Sequence, residues 1–137
     1  MISIVADTNI FISGIFWEGN FSSQVIDLWR DGKIELICSL PIIEELVRNL
    51  KGFKIEMDEK SVKKWEKIIL ENAILVEPSE KLDIVKEDPE DNKFLEAAIL
   101  GNAAYIITQD KHLLKLKEFQ GVKIVKPEEF LKIANPL

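Results

Sequence analysis

The stretch Ile2-Ser3-Ile4-Val5-Ala6-Asp7 decides the fold. It is a short apolar run too brief for a helix, and an acid ends it abruptly. A run of that length without polar alternation is the signature of a strand buried on both faces. Further runs of this kind are expected at Ile34–Cys38, Ala73–Val76, Ala104–Thr108 and Val122–Val125. Between them the apolar spacing changes to that of helices. Val25, Leu28 and Trp29 follow Ser22 and Ser23 as candidate caps, and Gly32 is the expected stop. Ile43, Leu46, Val47 and Leu50 follow Ser39 and Pro41, a cap and a first-turn proline. Val62, Trp65 and Ile69 mark a helix from about Asp58 to Asn72. Pro89 opens another, with Phe94, Ala97, Ala98 and Gly101 as its close-packing face, and Pro127 starts a terminal one. Strands alternating with helices predict an α/β fold, a central parallel sheet flanked by helices on both faces.

The 137 residues fit one domain, 1–137, without repeats, low-complexity tracts or an evident linker. The single cysteine, Cys38, excludes an intrachain disulfide and fits a reducing compartment. The N-terminus lacks the basic start and apolar centre of a secretion signal. The most apolar stretch, Ala97–Ile107, is broken by Gly101 and Asn102, so no membrane span is expected. The expected location is the cytoplasm. With 18 Lys+Arg against 24 Asp+Glu the net charge is −6, which argues against coating nucleic acid by bulk charge. It leaves open an enzyme that reaches phosphate through a metal held by carboxylates.

In open parallel sheets ligands bind beyond the carboxyl ends of the strands. Asp7 directly follows the first run, and Asp110 lies just past the run ending at Thr108. Asp88, Glu90 and Asp91 surround the start of the Pro89 helix, and Glu44 and Glu45 sit in the helix after Cys38. Four segments therefore bring carboxylates toward one edge, where they repel unless a cation joins them. Hard divalent cations take such oxygen ligands, and they suit phosphodiester hydrolysis. Each acid also has a plainer reading as a helix cap, and Asp88 before Pro89 reads most simply that way. Helical phase does not choose between Glu44 and Glu45, which flank the apolar stripe on opposite sides.

The segments Asp7-Thr8-Asn9-Ile10-Phe11-Ile12-Ser13, Ser39 with Ile43-Glu44-Glu45-Leu46, Asp88-Pro89-Glu90-Asp91-Asn92 and Thr108-Gln109-Asp110-Lys111 occur in an order that resembles the PIN domain. The resemblance covers essentially the whole chain. It is closest to small single-domain prokaryotic PIN proteins, among them VapC-type toxins. It implies a Mg²⁺- or Mn²⁺-dependent ribonuclease, commonly homodimeric and commonly paired with an antitoxin. It assigns Asp7, Glu45, Asp91 and Asp110 to the acidic quartet, with Asp7, Asp91 and Asp110 toward metal. It prefers Glu45 to Glu44 because a leucine follows, here Leu46, and it makes Asn9 and Thr108 supporting positions. Where many relatives carry a further Asp, this chain has His112, its only histidine. The swap bears on a second metal site and makes His112 a candidate modifier of metal or phosphate binding.

Two further features stand outside the quartet. Lys60, Lys63, Lys64 and Lys67 recur along one helix face, either as a phosphate-binding rail or as an ordinary solvated face. Ile15-Phe16-Trp17 and Phe21, read as a loop around Gly19-Asn20, are candidates for a subunit or antitoxin interface. Two competing functions remain. A phosphoacceptor receiver domain shares the acidic strand ends and the Val125-Lys126-Pro127 pattern. It needs paired aspartates after the first strand, but Thr8 follows Asp7, and Glu77-Pro78 follows Val76 where its acceptor Asp should be. The other is a catalytically idle PIN scaffold that binds RNA or a protein partner.

Overall fold

The computed structural model describes residues 1–52 and 57–134. Strand β1 (Ser3–Ala6) lies at the centre of a six-stranded sheet. The other strands are β2 (Glu35–Cys38), β3 (Ile74–Leu75), β4 (Tyr105–Ile107), β5 (Glu118–Phe119) and β6 (Val122–Val125), in spatial order β3-β2-β1-β4-β6-β5. The first five in that order run parallel. Helices α1 (Thr8–Phe16), α2 (Phe21–Arg30), α3 (Leu40–Gly52), α4 (Glu59–Asn72), α5 (Asn92–Leu100), α6 (Lys111–Leu114) and α7 (Pro127–Ala134) complete an α/β/α arrangement, as expected. Among the described residues no helix is long and apolar enough to cross a membrane.

The continuous apolar runs are buried as their composition demands. Ile4, Val5, Ile106 and Ile107 are sealed in the core with Phe11, Phe94 and Phe130. Phe11 meets Trp29 edge-on, and Tyr105 meets Phe130 in the same way. Gly101 ends α5 against Ile37, where a Cβ would lie 2.5 Å from the isoleucine Cγ2. The small face of α5 exists to permit this approach.

Several local expectations need correction. Ile15 and Phe16 are not in a loop: they form the last turn of α1, a helix nucleated by the Asp7 cap. The cap of α2 is Asn20, whose Oδ1 accepts from the Ser23 N–H at 2.7 Å. Asn20 also donates to the backbone and hydroxyl oxygens of Ser13, tying α1 to α2. Ser22 and Ser23 are buried in the first turn instead. The sheet carries one antiparallel edge, β5 against β6. Its two-residue turn is Gln120-Gly121, both at positive φ (50° and 87°), the backbone a tight hairpin requires.

Between β3 and Pro89 the chain has no strand or helix, and side chains of α5 hold it down. Asn92 Oδ1 accepts from the N–H groups of Ile84 (3.0 Å) and Val85 (2.9 Å). Its Nδ2 donates to the carbonyls of Val85 (3.2 Å) and Pro89 (3.0 Å), so the buried amide is fully used. Glu96 accepts from the Leu82 N–H at 2.8 Å. This stapled segment delivers Asp88 to the carboxyl edge of the sheet.

Candidate metal centre

Pairing of β1 with β4 aligns Ala6 with Ile107. The next hydrogen bonds in the ladder, Asp7 N–H to Ile107 O and Thr108 N–H to Val125 O, are both 3.0 Å long. Asp7 and Thr108 are thus fixed side by side at the strand ends. The Thr108 hydroxyl donates to Asp7 Oδ2 at 2.7 Å and accepts from the Asp110 N–H at 2.9 Å. Asp7 Oδ1 accepts from the Asn9 N–H at 3.1 Å, capping α1. Burial pushes the Asp7 carboxyl above its ordinary range, as do the charges of Asp110 and Glu45, against the opposing pull of Thr108 and Asn9. Asn9 contributes through its backbone, while its side chain is exposed beside Arg48.

Asp110 caps α6 by accepting from the His112 N–H at 2.7 Å. His112 is half-buried, and its field reaches Glu87. Asp91 stands at the start of α5 but makes no capping bond, nor does Asp88 at the start of the Pro89–Asp91 turn. The capping expectation for Asp88 is therefore corrected. A carboxylate atom from each of Asp88, Asp91 and Asp110 falls within 4.8 Å of the others. Asp88 joins this group because the staples from Asn92 carry it there. An Asp-Pro dipeptide gives no hint of that in the sequence.

Asp91 is 7% exposed, yet its Oδ2 has no hydrogen-bond partner. Burial pushes its carboxyl up to about 8, aided by a hydrogen bond to Asp110 and the charges of Asp110, Asp88 and Asp7. A buried polar atom without a partner calls for explanation by an absent water or ion. Oxygen donors alone, one of them orphaned and short of positive charge, suit a hard divalent cation. Asp7 lies outside the tight trio but within its electrostatic reach.

Glu45 is held away from solvent in a different manner from exposed Glu44. One oxygen accepts a hydrogen bond from the Thr8 hydroxyl, and the other meets Lys93 Nζ at 2.8 Å. Lys93 also reaches Glu90 at 3.1 Å. Burial alone would lower the Lys93 ammonium, but its bonds to Glu45 and Glu90 outweigh this and raise it. Lys93 is hard to find from sequence, because a lysine in a helix normally points to water. Its spacing of three residues from Glu90 is a signal the sequence does offer, since such pairs meet on a helix. On α4, Lys60, Lys63, Lys64 and Lys67 are all exposed, with Lys63 and Lys67 facing Glu59 and Glu71 one turn away. Trp17 and Phe21 are 47% and 50% exposed.

The chain resembles known proteins along nearly its full length. An uncharacterised protein of Methanocaldococcus jannaschii is 26% identical over 142 aligned positions, covering 96% of this chain and 90% of that one. VapBC2 of Rickettsia felis, solved with a DNA fragment from their promoter, superposes with a TM-score of 0.59 at 16% identity, over 90% of this chain and 97% of the other. The Pyrobaculum aerophilum protein PAE2754 gives 0.58 at 13% identity, over 100% and 91%. These structures share the fold. The PIN-domain family pattern matches residues 3–112, from β1 to the first turn of α6 and through every carboxylate described above, and the chain therefore belongs to the PIN-domain family.

Proposed function

We propose that this protein is a Mg²⁺- or Mn²⁺-dependent endoribonuclease, working in the cytoplasm as the toxin of a toxin–antitoxin pair. The observation that carries the reading is the unpartnered, buried Asp91 Oδ2 in a trio with Asp88 and Asp110. In this reading Asp7, Asp91 and Asp110 hold the cation, and Asp88 joins them from the other side of Asp91 in the chain. When bound, a divalent cation supplies Lewis-acid polarisation of a phosphoryl oxygen and acidifies water. The chain's own residues set up the rest. Thr108 orients Asp7 and ties it to Asp110, Thr8 and Lys93 hold Glu45 beside them, and His112 stands at the rim. The exposed lysines of α4 add a secondary contact to RNA phosphates. Membership of the PIN family and the shared fold with VapBC toxin–antitoxin proteins support the nuclease and the antitoxin partner. A homodimer with Trp17 and Phe21 at its interface completes the proposal.

The test is incubation of assorted RNAs with the protein in Mn²⁺, in Mg²⁺ and in chelator, beside Asp91→Asn. Cleavage should need the metal, leave the phosphate on the downstream fragment and vanish in the variant. Robust cutting in chelator, or cyclic phosphate ends, overturns the mechanism. Light scattering that shows a monomer across the micromolar range overturns the dimer.

A further inference from the structure

Among the described residues, Lys93 is the cation most closely built into the acidic site. Its side chain is 11% exposed, and its two carboxylate partners differ sharply. Glu45 is 18% exposed and lies 2.8 Å away, while Glu90 is 75% exposed at 3.1 Å. The first pair is sheltered and persistent. The second is open to water, where an ion pair contributes little and exchanges readily. An ammonium has three N–H donors, so Lys93 keeps one beyond these two bonds. Lys93 also lines an open groove of about 470 Å³ along the start of α5, together with Arg48, Lys81, Glu44, Glu90 and Glu96. Glu96 is engaged by the Leu82 N–H. Arg48, one turn beyond Glu45 on α3, lines both this groove and a second one that contains Asn9. Three cations, Lys81, Lys93 and Arg48, thus line the groove among its three acids, and Arg48 continues it toward Asn9.

We propose that Lys93 is a substrate-binding residue: it gives its remaining N–H to a non-bridging phosphate oxygen of a single-stranded RNA lying in this groove, with Arg48 on a neighbouring phosphate. The inference rests on the ribonuclease reading and adds the strand's path to it. The phosphate takes this third N–H, so Glu45 stays paired, and the exposed Glu90 side chain is the one free to move aside for it. Lys93 has two duties in this arrangement. It neutralises Glu45, and it offsets the repulsion between the carboxylates and the incoming backbone.

The two duties separate in a double-variant cycle. Wild type, Lys93→Met, Glu45→Gln and the combined variant are titrated with a short labelled single-stranded RNA in Ca²⁺, across a range of salt, by fluorescence anisotropy. The combined variant guards against misfolding, because it removes both members of the sheltered pair and strands no buried charge. Lys93→Met should weaken RNA binding about tenfold and lower the salt slope by ~0.7, the value for one phosphate neutralised on a single strand. The same losses should appear when Lys93→Met is added to Glu45→Gln, and Lys93→Arg should restore most of the affinity. If the combined variant binds like Glu45→Gln alone, Lys93 serves only Glu45 and the proposal is overturned. A wild-type protein that cuts RNA but shows no change of slope in Lys93→Met also overturns it, with the nuclease reading intact. A wild type that neither binds nor cuts RNA overturns both.

Discussion

The Thr108 hydroxyl donates to Asp7 at 2.7 Å across 101 positions of sequence, and the same oxygen accepts from the backbone of Asp110. One buried hydroxyl thereby sets the spacing of two acids that follow two different strands. Valine has nearly the shape of threonine but no hydroxyl. Thr108→Val should leave Asp7 with the Asn9 N–H alone and cost about 1.5–3 kcal/mol, the range for a hydrogen bond to a charged group. The loss should shrink as the pH falls and Asp7 takes up a proton. Thermal melts at several pH values check both statements.

Asp91 makes the metal-free protein lose stability as the pH rises from acid through neutral. Its carboxyl titrates at about 8 when folded and at the ordinary 3.8 when unfolded. Between those values the native state holds more protons, so stability is greatest below the lower one and declines as pH rises toward the upper one. Asp91→Asn removes this decline. At pH 8 in chelator the variant should be more stable than wild type by about 1 kcal/mol, an ordinary size for one substitution. A variant that is less stable under these conditions makes Asp91 a structural residue.

Metal binding should release a proton. Ligation requires the ionised carboxylate, whereas at pH 7 Asp91, with its pKa of about 8, is mostly protonated. Calorimetric titration with Mn²⁺ in buffers of different ionisation enthalpy should show close to one proton leaving per ion. In Asp91→Asn the release should vanish. At a hundredfold excess over the dissociation constant Mn²⁺ should stabilise wild type by about 2.7 kcal/mol, and it should stabilise the variant, and raise its melting temperature, by less.

Gly101→Ala tests the packing of α5 apart from any chemistry. The new Cβ would lie 2.5 Å from Ile37 Cγ2 and 3.1 Å from the Ala97 carbonyl. Gly101 has φ −81°, so the backbone tolerates alanine and the cost is steric alone. Overpacking of this kind costs about 1–3 kcal/mol, readable by urea unfolding.

Lys63→Ala combined with Lys67→Ala probes the face of α4. For every phosphate these lysines neutralise, the RNA salt slope should fall by up to ~0.7 in the variant. An unchanged slope assigns these side chains to water and to Glu59 and Glu71.

The strand ends are legible because buried parallel strands announce themselves as unbroken apolar runs, and whatever follows such a run must face the ligand edge. Asp7, Thr108 and Asp110 can be placed on that basis. The choice between Glu44 and Glu45 cannot, because helical phase is symmetric about the apolar stripe. It needs Thr8 and Lys93, which are distant in sequence from Glu45. Asp88 is misleading since a cap and a cluster member look alike before a proline, and only the staples of Asn92 separate them. Helix α1 is masked by aromatic residues that resemble an interface loop, and the β5–β6 hairpin by strands only two and four residues long.

The stapled segment between β3 and Pro89 has a consequence for how the molecule is divided. Strands β3, β2 and β1 precede it and form one contiguous half of the sheet, while β4, β6 and β5 follow it and form the other. The halves join through the pairing of β1 with β4. Asp7 and Glu45 belong to the first half, and Asp88, Asp91, Asp110 and Lys93 to the second. A backbone cut near Ser79, upstream of the staples, would give two pieces that each carry three adjacent strands and an incomplete set of acids. The protein is in this sense a natural split pair: the second piece carries the trio of Asp88, Asp91 and Asp110 by itself, and Asp7 and Glu45 reach it only where the two pieces meet.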